Sequence, residues 1–279
     1  MKRFFEDQKG QKIAANLYGK DTNPLVILLH GGGQTRHAWD MASRIISEAG
    51  FFVIAYDLRG HGDSFWSKEG DYSISSHKED LINIINQIGK SANLVGASLG
   101  GMTALALSGD IESSPLCQSL VMVDIGIYPD EQGSNKIVEF MQSGKSGFKS
   151  LEEAAEAISQ YLPHRKKPKD LSGLNKNLKL RDDGKYYWHW DPKFLERKQG
   201  KDRGDFFKDQ EESAKRVKVP TLLIRGALSD VLTEPDKDLF LKTIVHSEFK
   251  EIKEAAHMVA GDKNDIFADS IISFLIKHN

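Results

Sequence analysis

Short, nearly continuous apolar runs, each closed by turn residues and separated by amphipathic stretches, constrain this chain more than any other feature. Leu25–Leu29 runs into His30 and three glycines, and Phe51–Tyr56 runs into Asp57-Leu58-Arg59-Gly60; Asn93–Val95 and Leu120–Val123 follow. A strand covered on both sheet faces reads this way, because neither face needs polar residues. Between the runs, Leu81, Ile84, Ile85 and Ile88 fall at spacings of three and four, which makes one apolar helical stripe. Good helix formers also fill Met102 to Leu107. Strand, helix, strand in sequence implies parallel pairing with right-handed crossovers, hence a doubly wound α/β sheet.

The alternation stops from about Ile127 to Lys215. It resumes at Thr221–Ile224 and around Glu248–Ile252, and a final helix is predicted over Asp265–Lys277, with Phe267, Ile271, Phe274 and Leu275 inward. At 279 residues the chain exceeds the usual single-domain size. The expectation is a core formed by residues 1–126 and 216–279, interrupted by a mainly helical insertion over 127–215. The insertion contains the amphipathic stretch Leu151–Leu162 and many of the aromatics, among them Trp188, Trp190 and Phe194. Its one basic run, His164-Arg165-Lys166-Lys167-Pro168-Lys169, reads as a solvated loop, since acidic residues nearly balance the insertion's charge.

Charge narrows the class. Lys and Arg total 38 against 40 Asp and Glu, a formal charge of −2, and nucleic-acid binding would need a basic excess. A single cysteine, Cys117 beside an apolar strand, excludes an intrachain disulfide and a multi-cysteine metal site, and reads as packing. The opening residues carry no apolar stretch of a secretory signal, and no run approaches bilayer-spanning length. A cytoplasmic protein with a small-molecule substrate is expected, without nucleic-acid or membrane partners, as a monomer or homodimer.

Gly96-Ala97-Ser98-Leu99-Gly100 has the G-x-S-x-G pattern of a nucleophile elbow, with an apolar strand before it and helix formers after it. The glycines suit a strained turn in which neighbouring side chains would clash, and the turn would lift Ser98 out at the carboxyl edge of the sheet. A serine hydroxyl needs an adjacent base. Of nine histidines, His257 is best placed, in a loop between the last strand and the last helix. The base needs a carboxylate to fix its tautomer. Asp230, after the penultimate strand, is preferred, because it makes the chain order serine, acid, histidine; Asp124, closing the Leu120–Val123 strand, is the rival. His30-Gly31-Gly32-Gly33 supplies backbone N–H groups that a developing oxyanion could approach, and Gly32 and Leu99 are the expected donors. A phosphate loop is the poorer reading, for no Gly-x-x-x-x-Gly-Lys pattern is present.

With these residues in hand, the chain resembles the α/β-hydrolase superfamily, specifically its serine-nucleophile esterase and lipase-like members, over nearly all of its length outside the insertion. The resemblance implies an α/β-hydrolase fold, a mostly parallel doubly wound sheet flanked by helices, with the insertion as a cap. It makes Ser98 the nucleophile, His257 the base and Asp230 the acid, and matches His30-Gly31-Gly32-Gly33 to the family's oxyanion motif. Asp57-Leu58-Arg59-Gly60-His61-Gly62-Asp63-Ser64 resembles the family's D-x-R-G-x-G-x-S turn, in which His61 is structural. Relatives similar to haloalkane dehalogenases and epoxide hydrolases carry aspartate at the elbow, and this chain does not.

The expected function is hydrolysis of a carboxylic ester of a small to medium, partly hydrophobic substrate through an acyl-enzyme on Ser98, without metal or organic cofactor. A lactone or C–C bond hydrolase on the same residues is the alternative. A perhydrolase-like enzyme and a non-catalytic small-molecule binder are further ones. Gly33, Trp39 and Trp190 are candidates for substrate contact, with Trp188 and Phe194 beside them, and Gln34, Arg36 and His37 are candidates for its polar end.

Overall fold

Two antiparallel strands open the chain, β1 (Lys2–Glu6) and β2 (Lys12–Tyr18), before the α/β alternation begins. This hairpin is hidden in the sequence because β1 buries only Phe5, so no alternating pattern marks it. Then follow β3 (Leu25–Leu29), α1 (Asp40–Glu48), β4 (Phe52–Tyr56), α2 (Ile74–Ile88), β5 (Ala92–Ala97), α3 (Leu99–Ser108) and β6 (Cys117–Val123). Between β6 and the next sheet strand lie α4 (Glu131–Gln142), α5 (Leu151–Tyr161), the hairpin strands β7 (Leu178–Leu180) and β8 (Tyr186–Trp188), and α6 (Arg203–Arg216). The sheet resumes with β9 (Thr221–Gly226), α7 (Glu234–Thr243) and β10 (Ser247–Ile252), and α8 (Asn264–His278) follows. The computed structural model describes residues 1–162, 170–196, 203–253, 255–257 and 264–278. The basic run at 164–169 lies outside the described residues.

Among the described residues eight strands form one sheet, in the order β1-β2-β4-β3-β5-β6-β9-β10. From β4 onward every neighbouring pair is parallel, while β1 and β2 attach antiparallel at one edge. The reason for the unbroken apolar runs is visible in β3. Leu25, Ile27 and Leu29 point into a core shared with Leu81, Ile84 and Ile85 of α2 and Ala104, Leu105 and Leu107 of α3. Val26 and Leu28 point the other way, against Ala42 and Ile46 of α1 and Phe267, Ile271, Phe274 and Leu275 of α8. Side chains alternate along a strand, so burial of both faces removes the polar half of the pattern. Each large side chain so buried is worth about 1.5–3 kcal/mol.

Helix ends follow local rules. Ser73 caps α2 by accepting from Ser76 N, and Gly89 closes it in the left-handed conformation. Cys117 is buried in β6, and burial pushes its thiol up to about 12, so it packs as a small apolar side chain.

Candidate active site

The turn at Ser98, where the elbow is expected, is forced by three glycines. Ser98 sits between β5 and α3 with φ +48° and ψ −116°, outside the regions an L-residue prefers. A Cβ on Gly96 would overlap the Gly100 carbonyl, and one on Gly100 would overlap the backbone of Leu29 in β3. At Gly101 it would meet Ile125 Cγ2 at 2.5 Å. Bare backbone therefore lets α3 start against β3 and β5, and the serine alone carries the strained angle. Ser98 N donates to Val123 O at 3.2 Å, which fixes the elbow beside the end of β6. Leu99 N opens α3, where the first amides have no intrahelical acceptor and the helix dipole favours negative charge.

Asp124 is the residue immediately past β6, and it too has positive φ, +50°. Its carboxylate has no solvent exposure and collects three donors. Gly226 N, at the end of β9, donates to Oδ1 at 2.9 Å. Ser229 Oγ donates to Oδ2 at 2.5 Å, and His257 Nδ1 stands 2.8 Å from the same oxygen. His257 thus holds the Nδ1–H tautomer, and its Nε2 is the basic nitrogen.

This corrects the expected pairing of His257 with Asp230. The Asp230 carboxylate is half exposed and forms an ion pair with Lys136 of α4 at 2.6 Å. The turn after β9 explains it. Ser229 N closes back on Gly226 O at 2.9 Å, turning residue 229 toward Asp124 and residue 230 outward. Asp124 had a signal in the sequence, an aspartate directly after the strand next to the elbow's strand. Ser229 had none beyond adjacency to Asp230.

The glycine loop after β3 stands over the elbow, for a Cβ on Gly31 would lie 3.3 Å from Ser98 Cβ. Gly31 N donates to Gln34 Oε1 at 2.9 Å, and Gly33 N donates to His61 Nε2 at 3.1 Å. Gly33 has φ +75°, so the chain reverses there. Two of the three glycine amides are spent on the loop itself. Gly32 lies between them, and the nearest side chains facing its open side are Phe194, at 3.7 Å, and Met141, at 3.9 Å from a Cβ placed there.

Three buried histidines hold this loop. His30 Nδ1 donates to Gly31 O at 2.8 Å and its Nε2 accepts from Leu58 N at 2.9 Å; burial lowers its pKa to about 4. His61 accepts from Gly33 N through Nε2, as above, and its Nδ1 lies 3.1 Å from Arg59 O. His189, from the segment between β6 and β9, accepts from Gly62 N at 2.8 Å, and burial holds it well below the ordinary histidine range. Although the three rings neighbour one another, backbone groups occupy both ring nitrogens of His30 and His61 and the Nδ1 of His189. Among the described residues no group of three or more His, Cys, Asp or Glu side chains is set to hold a metal ion.

The turn from Asp57 to Ser64 ties these parts together. Asp57 accepts from Arg36 N at 2.7 Å and Asp63 N at 2.8 Å, and pairs with the Arg36 guanidinium. Arg59 makes a two-pronged ion pair with Asp80 at 2.6 and 2.8 Å. Asp191 N donates to Gly60 O at 2.8 Å, and the Tyr72 hydroxyl donates to Asp191.

The remaining candidates fall apart into packing and site. Trp39 is 1% exposed and stacks on Phe267 of α8, 5.7 Å between centroids, in the helix layer rather than against Ser98. Trp190 stacks on Trp188 at 5.0 Å, inside an aromatic cluster with Phe148 and Phe140. Arg36 is committed to Asp57 and Asp63, and His37 to Asp40 at 3.0 Å. Phe194 and Met141 are the apolar side chains that reach the glycine loop, and Met141 on α4 escaped the sequence reading.

Comparison with known proteins agrees with this architecture. The sequence profile of the alpha/beta hydrolase fold matches residues 24–263. An esterase of Mycobacterium tuberculosis is 29% identical over 247 residues, covering 86% of this chain and 78% of its own. An sn-1-specific diacylglycerol lipase of Mus musculus is 28% identical over 275 residues, covering 93% and 83%. Among solved structures, E-2-(acetamidomethylene)succinate hydrolase superposes with a TM-score of 0.85 over 99% of both chains at 18% identity, a likeness of fold alone. The crystal structure of the M. tuberculosis esterase superposes with a TM-score of 0.78 at 25% identity, over 99% of this chain and 92% of that one. With a matching profile over most of its length and the eight-stranded, mostly parallel sheet that goes with it, the chain belongs to the α/β-hydrolase family.

Proposed function

We propose that the protein is a serine hydrolase that cleaves a carboxylic ester of a small to medium, partly hydrophobic substrate through an acyl-enzyme on Ser98. Hydrolysis of ester bonds as the reaction class accords with the family and with relatives named esterase, diacylglycerol lipase and methylesterase. The observation that carries the finer reading is the strained serine at the end of β5 together with the His257–Asp124 pair on the same sheet edge.

In the first step Ser98 Oγ attacks the carbonyl carbon and its proton passes to His257 Nε2. The carbonyl oxygen becomes an oxyanion, held by Gly32 N–H and Leu99 N–H. Collapse breaks the ester C–O bond, and the departing alkoxide takes the proton from His257. Water then repeats the sequence on the acyl-enzyme and releases the carboxylic acid. Asp124 holds the Nδ1–H tautomer and stabilises the transient imidazolium. Every proton borrowed is returned, so neither redox partner nor cofactor enters the balance.

Substrate preference follows from what lies beside Gly32. Phe194 and Met141 present an aromatic ring and a thioether there, and a partly apolar acyl group suits both. We read the segment between β6 and β9, which supplies them, as a cap over the site.

Labelling with a fluorophosphonate and hydrolysis of short p-nitrophenyl esters test the reading together. Wild type is expected to label at Ser98 and to turn over the esters, and Ser98→Ala to do neither. Hydrolysis by Ser98→Ala above background, or failure of folded wild type to label, overturns it. A simple lactone in the same panel separates ester from lactone preference.

A further inference from the structure

We propose that Ser229 is a positioning residue of the hydrolytic site, holding Asp124 in the orientation that His257 requires; the inference rests on the function proposed above.

The geometry is specific. Asp124 is fully buried, and none of its three recorded donors is a lysine or arginine. Oδ1 is fixed by a backbone amide, Gly226 N, which cannot rotate. Oδ2 receives Ser229 Oγ at 2.5 Å and His257 Nδ1 at 2.8 Å. The Ser229 hydroxyl is itself aimed, because Val231 N and Leu232 N donate to its oxygen at 3.1 and 3.2 Å. With its acceptor positions taken by two amides, its one proton is directed to Asp124.

Two backbone amides thus act on the carboxylate through one side chain. Without the hydroxyl, the carboxylate keeps the Gly226 anchor on Oδ1 and, on Oδ2, no donor but the imidazole it has to orient, so it can pivot about the amide and carry Oδ2 and the imidazole with it. Small misplacements of this kind are expensive in catalysis and nearly silent in substrate binding, since Ser229 itself makes no contact with the reacting atoms. The loop after β9 therefore serves the relay through a hydroxyl, while the neighbouring Asp230 serves the surface through Lys136.

The test is a kinetic cycle on the full chain with a p-nitrophenyl ester. Ser229→Ala is expected to lower kcat 10- to 100-fold with KM changed less than twofold, and Ser229→Thr, which keeps the hydroxyl, to stay within about threefold of wild type. In a background of Asp124→Asn, adding Ser229→Ala is expected to cost nothing further, because the group it positions is already disabled. A thermal midpoint for each variant accompanies the kinetics, and Ser229→Cys, near in size with a weaker donor, replaces Ser229→Ala should that variant not fold.

Full kcat in Ser229→Ala alongside a crippled Asp124→Asn overturns the proposal and leaves the proposed function standing. So does a loss that multiplies in the Asp124→Asn background, or one that Ser229→Thr does not recover. Hydrolysis surviving in Ser98→Ala removes the proposed function instead, and is read separately.

Discussion

His257 Nδ1 stands 2.8 Å from Oδ2 of Asp124, on a carboxylate that meets no solvent, while Asp230 is exposed and paired with Lys136. A relay acid gains from burial because its attraction for the imidazolium is not dissipated in water. Asp124→Asn presents an amide to Nδ1 and can impose the wrong tautomer. It is expected to lower kcat by about 10³–10⁴. Asp230→Asn breaks a solvent-screened surface ion pair and should leave kcat within about twofold. Ester turnover by the two purified variants decides the matter, and the opposite ranking would return the role to Asp230.

Glycine at position 100 is required by backbone, not by side chains that could move. A methyl there overlaps the Leu29 carbonyl and drives α3 away from β3. Gly100→Ala is expected to destabilise the fold by about 3 kcal/mol or more, at the upper end of overpacking costs. Gly89→Ala gives the comparison, since its Cβ meets nothing within 4 Å and only its φ of +74° is unfavourable. That variant should lose about 1–2 kcal/mol. Urea midpoints of the two, measured side by side, test whether contact rather than conformation governs the elbow.

What the sequence announced and what it concealed divide along physical lines. The parallel strands were legible because burial on both faces removes polar residues from a run, as in Leu25–Leu29. The elbow was legible because steric exclusion leaves glycine as the sole solution at 96, 100 and 101. The carboxylate that meets His257 was not, because chain order alone favours an aspartate between serine and histidine, and only the turn closed by Ser229 N shows which residue of that loop faces inward. Trp39 misled for a related reason. An indole just past the glycine loop looks like a pocket wall, but the turn at 36–39 that leads into α1 carries it to the opposite side of the sheet from α3, onto Phe267. Long-range contact, not local pattern, decides both.

Buried neutral histidines should make the fold sensitive to mild acid. His30 stays neutral down to about pH 4 in the folded chain because burial disfavours its charged form, whereas an unfolded histidine takes a proton near pH 6.5. Between these values the unfolded state binds more protons, so stability is present above about pH 6.5 and falls as pH drops toward 4. His189, also lowered by burial, acts in the same direction. For His30 alone the loss approaches about 3 kcal/mol across the window. Urea midpoints from pH 7 to pH 4 should fall accordingly. His30→Asn, less stable at pH 7, should show a flatter slope, and an unchanged slope would assign the acid sensitivity elsewhere.

Phe194 is the side chain whose removal should change substrate choice without touching the relay. Its ring lies against Gly32 and is braced edge-on by His61, at 4.8 Å, and by Tyr72, at 5.7 Å, so it cannot swing aside to admit a longer chain. Met141 reaches the same loop, within 3.1–3.3 Å of a Cβ placed on Gly33, but a thioether chain has rotamers to spare. A rigid wall sets a sharp limit and a flexible one a soft limit. Phe194→Ala is therefore expected to raise kcat/KM for octanoyl over acetyl p-nitrophenyl esters by roughly 10-fold or more, the scale of a methylene or two in an apolar pocket. Met141→Ala should shift the same ratio by less. Equal chain-length profiles for wild type and Phe194→Ala would show that the acyl group lies elsewhere, with the ring serving only to pack the glycine loop against the turn at His61.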